Sequence, residues 1–337
     1  MVITLIKLGI IGTNWITQQF IDAIKLSQKF ELTTVYSRHE ETAKAFADKN
    51  SAKETFTDLD SFFTQGDFDT VYIASPNSLH FEQAQKAIQN GKNVIVEKPA
   101  FSTQKQMATI QELLIHNPNV LYFEAARNIH TENFHSIEEK LGDFKTVQGA
   151  EFTYSKYSSR YDLVLKGQEP NVFSLKYAGG ALQDLGVYTV YDAVALFGMP
   201  EETAYFPQLI RTGVDGKGTA ILRYPEYNVT LNFSKITNSH MTSEIYGLKD
   251  LIEIDDAGEL NTVIYIDDDN NKQVIGNTID ENPMLPEVED FARVINDPKI
   301  PQNKKDYDYW RQLSVYVNKV IYNLRQDAHI SFVGEHK

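Results

Sequence analysis

Glu97-Lys98-Pro99 closes the short apolar run Val94-Ile95-Val96. A buried strand that stops on a lysine carries an ammonium group to its own carboxyl end. Pro99 fixes the backbone directly after it, which favours a positioned amine over one that only snorkels to solvent. Two other segments have the same look. Gly9-Ile-Ile-Gly12-Thr13-Asn14-Trp15-Ile16-Thr17 follows the apolar run from Ile6, and Ser75-Pro76-Asn77-Ser78-Leu-His80 follows Val71–Ala74. A fourth group lies far downstream in Gly179-Gly180-Ala-Leu-Gln-Asp184-Leu-Gly186-Val-Tyr188. There a carboxylate and a phenol four residues apart share one helical face. Gly186 would cost roughly 1 kcal/mol inside a helix, so a close approach is expected at that point.

The first three groups need a scaffold that brings strand ends together, and the first 125 residues supply one. Strands are expected at 6–11, 31–36, 70–74, 93–96 and 120–123, separated by helices at 14–27, 40–49, 78–90 and 103–116. Strands apolar throughout and alternating with helices imply a parallel sheet covered on both faces, with right-handed connections. Gly91 sits where a left-handed helix cap belongs, and Thr103 with Gln106 reads as a capping box. In such a doubly wound sheet, ligands bind outside the carboxyl ends of the strands, where all three groups fall.

After about residue 142 the texture changes to strands that alternate apolar with polar residues, as in Val229-Thr-Leu-Asn-Phe233. Strands are expected at 144–157, 219–224, 228–233, 240–246, 251–254, 262–266 and 273–275, and helices at 180–197, 286–296 and 304–326. The fold class is thus α/β plus α+β, a Rossmann domain over 1–124 and a second domain over 125–337 with a large, mainly antiparallel open sheet.

The glycine turn is a partial dinucleotide fingerprint. G-x-G-x-x-G/A falls on Gly12, Asn14 and Thr17, and only the first position matches. Asn tolerates left-handed angles, so the turn can form, but its side chain is expected to crowd a diphosphate. At the end of the second strand, Ser37-Arg38-His39 replaces the acidic residue that would bind ribose hydroxyls. An arginine there pairs with a 2′-phosphate, which points to NADP, with NAD the alternative.

Taken together, Glu97-Lys98-Pro99, Ala74-Ser75-Pro76-Asn77-x-x-His80 and Gly179-Gly180-Ala-Leu-x-Asp184-x-Gly186-x-Tyr188 resemble the glucose-fructose oxidoreductase / inositol 2-dehydrogenase (Gfo/Idh/MocA) family over nearly the whole chain. Tyrosine at 188, and Phe123-Glu-Ala-Ala-Arg127, are similar to the dihydrodiol dehydrogenase and NADP-dependent xylose dehydrogenase branch. The resemblance implies an enzyme that moves a hydride between a nicotinamide and a sugar, polyol or diol carbon. It implies Lys98 as the catalytic lysine, Tyr188 as acid/base, and Asp184 as the polar partner of substrate or lysine. Gly12, Thr13, Asn14, Trp15, Ile16, Ser37, Arg38, Ser75, Pro76, Asn77, His80, Glu97 and Lys98 would line the cofactor. A free tyrosine titrates near about pH 10. A neighbouring ammonium would favour the phenolate and stabilise oxyanion charge on the substrate. Tyr154, Lys156 and Tyr157 either face a polyol or pack within the sheet.

Other chemistries fit less well. A short-chain dehydrogenase needs Tyr-x-x-x-Lys, and no lysine has a tyrosine four positions before it. The chain has no cysteine and no H-E-x-x-H, so a zinc site is not expected. His130 and His135 read as incidental. Asp267-Asp-Asp269 lacks the glycine and glutamate of a calcium loop and reads as a hairpin turn. With a net charge of −14 and no basic block, nucleic acid is not an expected partner. The apolar opening, residues 1–12, lacks the basic region and cleavage site of a signal peptide and reads as a buried strand. No run of about 18 apolar residues suggests a membrane span. A cytoplasmic homodimer, joined through the open sheet face, is expected. A non-catalytic dinucleotide sensor on the same fold is the competing reading.

Overall fold

The computed structural model describes residues Leu5–Glu335, so residues 1–4 of the apolar opening lie outside the described residues. The chain divides into two compact units, one running to Ala125 and including Asp280–Ser314, the other formed by Ala126–Ile279 and the residues from Val315 onward.

In the first unit a parallel sheet is built from β1 (Ile6–Ile11), β2 (Phe30–Tyr36), β3 (Glu54–Phe56), β4 (Thr70–Ile73), β5 (Asn93–Glu97) and β6 (Tyr122–Ala125). The helices between them are α1 (Trp15–Ser27), α2 (Glu40–Asn50), α3 (Leu59–Gln65), α4 (Asn77–Gln89) and α5 (Gln104–His116). Strand order is β3-β2-β1-β4-β5-β6. The order reverses direction between β1 and β4, the point where a doubly wound sheet opens a crevice at its strand ends. Leu8, Ile10, Tyr72, Val94, Ile95 and Val96 have no solvent exposure, as strands covered on both faces should. The capping box of α5 is present in full, and Gly91 has φ 71°. β3 and α3 were not expected. Glu-Thr-Phe is too short and too polar to show a strand pattern, and α3 spans only seven residues.

In the second unit come α6 (Glu132–Gly142), β7 (Gly149–Ser155), α7 (Tyr161–Leu165), α8 (Val187–Phe197), and then β8 (Glu202–Leu209), β9 (Asp215–Arg223), β10 (Asn228–Ser234), β11 (Ser243–Tyr246), β12 (Leu251–Ile254), β13 (Val263–Ile266) and β14 (Lys272–Val274). They form one eight-stranded sheet in the order β14-β13-β12-β11-β7-β10-β9-β8. Only the β7–β10 pair is parallel; the rest are antiparallel. The strand expected over 144–157 is shorter, because Gly149 at φ 140° lies against the Asn228 carbonyl where pairing begins. α8 packs on β7 and β10.

The chain finishes with α9 (Leu285–Asn296) and α10 (Pro301–Asp327). Sequence order alone puts everything from residue 125 onward in the second domain, yet Asp280–Ser314 belongs with the first unit. The reason is packing: Met284, Val288, Phe291 and Ala292 join the core of the first sheet, and the Phe291 ring lies 4.7 Å from that of Phe123. An amphipathic helix announces an apolar face but not which sheet it covers. No helix among the described residues is long and apolar enough to cross a membrane.

Candidate active site

The strand ends of the first unit are tied together by side chains from the expected group. Gly12 adopts φ 107°, and a Cβ there would stand 2.6 Å from the Ala74 carbonyl oxygen. Only glycine lets the turn after β1 lie against the end of β4. Asn14 is not left-handed as allowed for above, but extended at φ −90°, and its side chain does not point outward. Its Oδ1 accepts from the N–H of Ile16 at 2.9 Å and of Thr17 at 3.2 Å, while Nδ2 donates to the Ala74 carbonyl at 2.9 Å. Asn14 is thus an N-cap for α1 that also crosses to β4. Thr17 is fully buried and its hydroxyl has no hydrogen-bond partner. Trp15 is 73% exposed and Ile16 is partly buried.

His80 departs most from its expected place. It has no solvent exposure, and its ring spans two strand ends, with Nε2 2.8 Å from the Ser75 carbonyl and Nδ1 3.2 Å from the Pro99 carbonyl. Burial pushes its pKa down, against the pull of those carbonyls. A neutral ring donates only once, to one or other of these carbonyls. His80 therefore braces the loops after β4 and β5, rather than offering a ring nitrogen to a molecule in the crevice. Ser75 Oγ donates to Gln83 at 2.7 Å, and Pro76 starts α4 with no side-chain cap at its N-terminus. Such a helix start suits an anion.

Lys98 is partly buried at the end of β5, followed by a cis peptide to Pro99. The preceding Glu97 is buried and accepts from the Tyr72 hydroxyl at 2.6 Å. The following Ala100 N–H donates to Glu124 at 2.9 Å, and Glu124 also accepts from Ser314. The Lys98 backbone is therefore held from both sides. Ser37 and the exposed Arg38 follow β2 at the same edge, Ser37 through its N–H on the Phe56 carbonyl.

The second unit sorts its expected residues differently. Leu182–Gly186 is a π-helical turn running into α8, a form that recurs at functional sites. Asp184 lies in the π turn and Tyr188 four residues on, at the start of α8. Asp184 hydrogen-bonds Lys235, whose side chain is 2% exposed and lies 4.7 Å from the Phe173 ring. Tyr188 faces another group. The Arg127 guanidinium lies 5.6 Å from its ring centroid, and Tyr154 meets it edge-on at 5.4 Å. Glu259 closes the group, 2.9 Å from Arg127 and accepting from the Tyr154 hydroxyl at 3.0 Å. The Asn128 amide donates to Asp192 at 2.7 Å, one turn beyond Tyr188. Burial, reinforced by Tyr188 and Glu259, pushes the Tyr154 pKa up, so Tyr154 stays a neutral donor. Burial opposes the Arg127 cation, but Tyr188, Glu259 and Tyr154 hold it more firmly charged than a free arginine. Gly186 has the close approach expected of it: a Cβ would stand 3.0 Å from the Phe233 ring.

The sequence marks Arg127 only as part of the Phe123–Arg127 motif and does not mark Glu259 or Lys235. An arginine that follows the last strand of a Rossmann sheet is a signal that sequence can give. Glu259 and Lys235 lie in turns after sheet strands, and nothing in their spacing sets them apart. Tyr154 is buried, while Tyr157 is exposed and donates to Asp162. Asp267 accepts from Asp269 and Asn271 N–H groups in a solvated turn. No group of three or more His, Asp or Glu among the described residues could hold a metal.

The residues of the first unit suit a dinucleotide. A glycine too close to β4 for any side chain lies at the switch point, two helices start at that edge, and one bears no side-chain cap. The two first-turn N–H groups of α1 that Asn14 occupies are the exception.

Comparison with known proteins agrees with this architecture. The family model described as the Gfo/Idh/MocA oxidoreductase family, NAD-binding Rossmann fold, matches residues 6–125, and that of the family's C-terminal domain matches residues 138–253. An uncharacterised oxidoreductase of Escherichia coli (strain K12), YgjR, is 37% identical over 87% of this chain and 89% of its own length. The scyllo-inositol 2-dehydrogenase (NADP+) IolU of Bacillus subtilis (strain 168) is 36% identical over 90% of this chain and 92% of its own. A crystal structure of KijD10, a 3-ketoreductase from Actinomadura kijaniata in complex with TDP-benzene and NADP, shares the fold with a TM-score of 0.81, at 19% identity over 96% of this chain and 98% of that one. With a switch-point sheet, a glycine turn pressed on β4 and a lysine closing β5, and with residues 6–125 and 138–253 matched by the family's two models, the chain is a member of the Gfo/Idh/MocA oxidoreductase family.

Proposed function

We propose that this oxidoreductase uses NADP to interconvert a CH–OH group and a carbonyl on a cyclic polyol or sugar, with Lys98 stabilising charge and Tyr188 serving as acid/base. The reading is supported most by one observation: Lys98 is fixed at the end of β5, one strand from the switch point, by Glu97 on one side and the Ala100–Glu124 bond on the other. The polyol rests on the 36% identical relative named scyllo-inositol 2-dehydrogenase (NADP+).

The cofactor would be held by Gly12 and the first turns of α1 and α4, with Thr13, Trp15, Ser75, Pro76 and Asn77 alongside and Arg38 for the 2′-phosphate. When bound, it supplies or accepts the hydride. The chain's own residues handle the proton. In oxidation Tyr188 takes the hydroxyl proton at its Oη, and in reduction it returns it. The Lys98 ammonium favours negative charge on the substrate oxygen. Asp184, held by Lys235, orients a substrate hydroxyl.

Fluorescence titration with NADP and NAD, followed by turnover with inositols, aldoses and diols, tests this. NADP binding should weaken about tenfold in Arg38→Ala, with NAD binding unchanged. Tight binding without turnover of any polyol would favour the sensor reading instead. A cytoplasmic homodimer belongs to the same proposal. The edge strand β8 presents Phe206 at 65% and Leu209 at 52% exposure, which suits a covered face. A monomer by light scattering at micromolar concentration would count against it.

A further inference from the structure

We propose that Arg127, anchored by Glu259, is a positioning residue that orients the Tyr188 phenol and stabilises its deprotonated form, so that proton transfer is tuned from within the second unit. The inference rests on Tyr188 being the acid/base, as proposed above.

The Arg127 side chain is only 11% exposed, and its guanidinium is held on two sides, by Glu259 at 2.9 Å and by the Gly258 carbonyl at 3.4 Å. A buried cation with so little freedom acts as a fixed charge. The guanidinium lies 5.6 Å from the Tyr188 ring centroid, and its buried Nε has no hydrogen-bond partner. The second phenol, Tyr154, is committed to donating to Glu259 and packs edge-on against Tyr188, which fixes the plane of that ring.

The charged and titratable groups around Tyr188 in its own unit separate by element. Arg127 comes from the turn after β6, Tyr154 from β7, Glu259 and Asp256 from the turn after β12, and Lys156, 3.9 Å from Glu259, from the end of β7. Asp192 lies one turn along α8 and is paired with Asn128. Of these, Arg127 is the cation that lies over the Tyr188 ring, at 5.6 Å from its centroid. The Glu259 carboxylate, which would disfavour a phenolate, is occupied by Arg127 and Tyr154. Burial raises the pKa of Tyr154 and leaves it neutral.

The test compares wild type, Arg127→Gln, Arg127→Lys and Tyr188→Phe. The first readout needs no turnover. Ultraviolet absorbance of tyrosinate is followed against pH, and the Tyr188→Phe curve is subtracted to isolate residue 188. The midpoint of that difference curve should rise by about one unit or more in Arg127→Gln and return most of the way in Arg127→Lys. The second readout is the pH profile of kcat for polyol oxidation with NADP. Its acid limb should move by the same amount, while KM for NADP stays within about twofold. A difference curve with the same midpoint in wild type and Arg127→Gln would overturn the proposal, as would an Arg127→Lys curve no closer to wild type than that of the glutamine variant. Should Arg127→Gln fail to fold, Glu259→Gln, which releases the anchor, is expected to broaden and shift the same curve; an unshifted curve there overturns it equally. If wild type shows no turnover but the absorbance shift is present, the function proposal fails and the electrostatic role of Arg127 stands.

Discussion

Asn14 stands where the dinucleotide fingerprint has its second glycine, and Asn14→Gly separates its two jobs. In the structure the residue has φ −90°, so the backbone does not require glycine. What the substitution removes is side-chain bonding: Oδ1 from the N–H groups of Ile16 and Thr17, and Nδ2 from the Ala74 carbonyl. Replacing an asparagine cap by glycine costs a few tenths of a kcal/mol, and the lost bond to Ala74 about 1 kcal/mol more. The first unit should therefore become about 1–1.5 kcal/mol less stable. Affinity should move the other way. A diphosphate seeking those two N–H groups must first displace the cap, worth a few tenths of a kcal/mol relative to glycine; without it, NADP should bind about twofold more tightly. Isothermal titration calorimetry with NADP, alongside urea unfolding, reads both effects. Asn14→Ser, which keeps a capping oxygen, should leave affinity near wild type. Unchanged or weaker NADP binding in Asn14→Gly would refute the idea that the cap competes with the cofactor.

His80 and Gly180 give two further expectations. Burial depresses the His80 pKa below its ordinary 6.5. The unfolded chain then binds the proton more readily, so the contribution to stability is complete above about pH 6.5 and is lost as pH falls below it toward the folded value. Urea midpoints taken across that window should drop with acid in wild type and drop less in His80→Gln; equal slopes would exclude His80 as the source. Gly180 has φ 130°, and a Cβ there would overlap the Asp215 carboxylate, which caps Leu182 N–H at 2.7 Å and accepts from Tyr205 at 2.6 Å. Gly180→Ala should cost about 3 kcal/mol or more in thermal or urea unfolding, and a loss under about 1 kcal/mol would mean the carboxylate moves aside freely.

The first unit was legible because its signals are local. Apolar runs gave β1, β2, β4 and β5, Thr103 with Gln106 gave the start of α5, and Gly12 and Lys98 fell at strand ends as their neighbours implied. Elements without such signals stayed hidden: β3 is three mixed residues, and β8 reads Glu-Thr-Ala-Tyr-Phe-Pro-Gln-Leu, with a proline and little alternation. α6 lies in a stretch whose apolar positions are few. The site was legible in its parts but not in its pairings. Four-residue spacing put Asp184 and Tyr188 on one face but gave no sign that the first would meet Lys235 and the second Arg127. His80 looked like a ligand because it lies near a strand end; its burial between two carbonyls shows a brace. Partners brought in by sheet topology, Glu259 and Lys235 above all, carry no mark in the local sequence.

The proposed reaction needs both the phenol at position 188 and the ammonium at position 98. NADPH formation from scyllo-inositol, measured for wild type, Tyr188→Phe and Lys98→Met with NADP binding checked for each, tests that most directly. Both variants should lose about 100-fold or more in kcat, with NADP affinity in Tyr188→Phe within a few-fold of wild type. Wild-type turnover in either variant would contradict it.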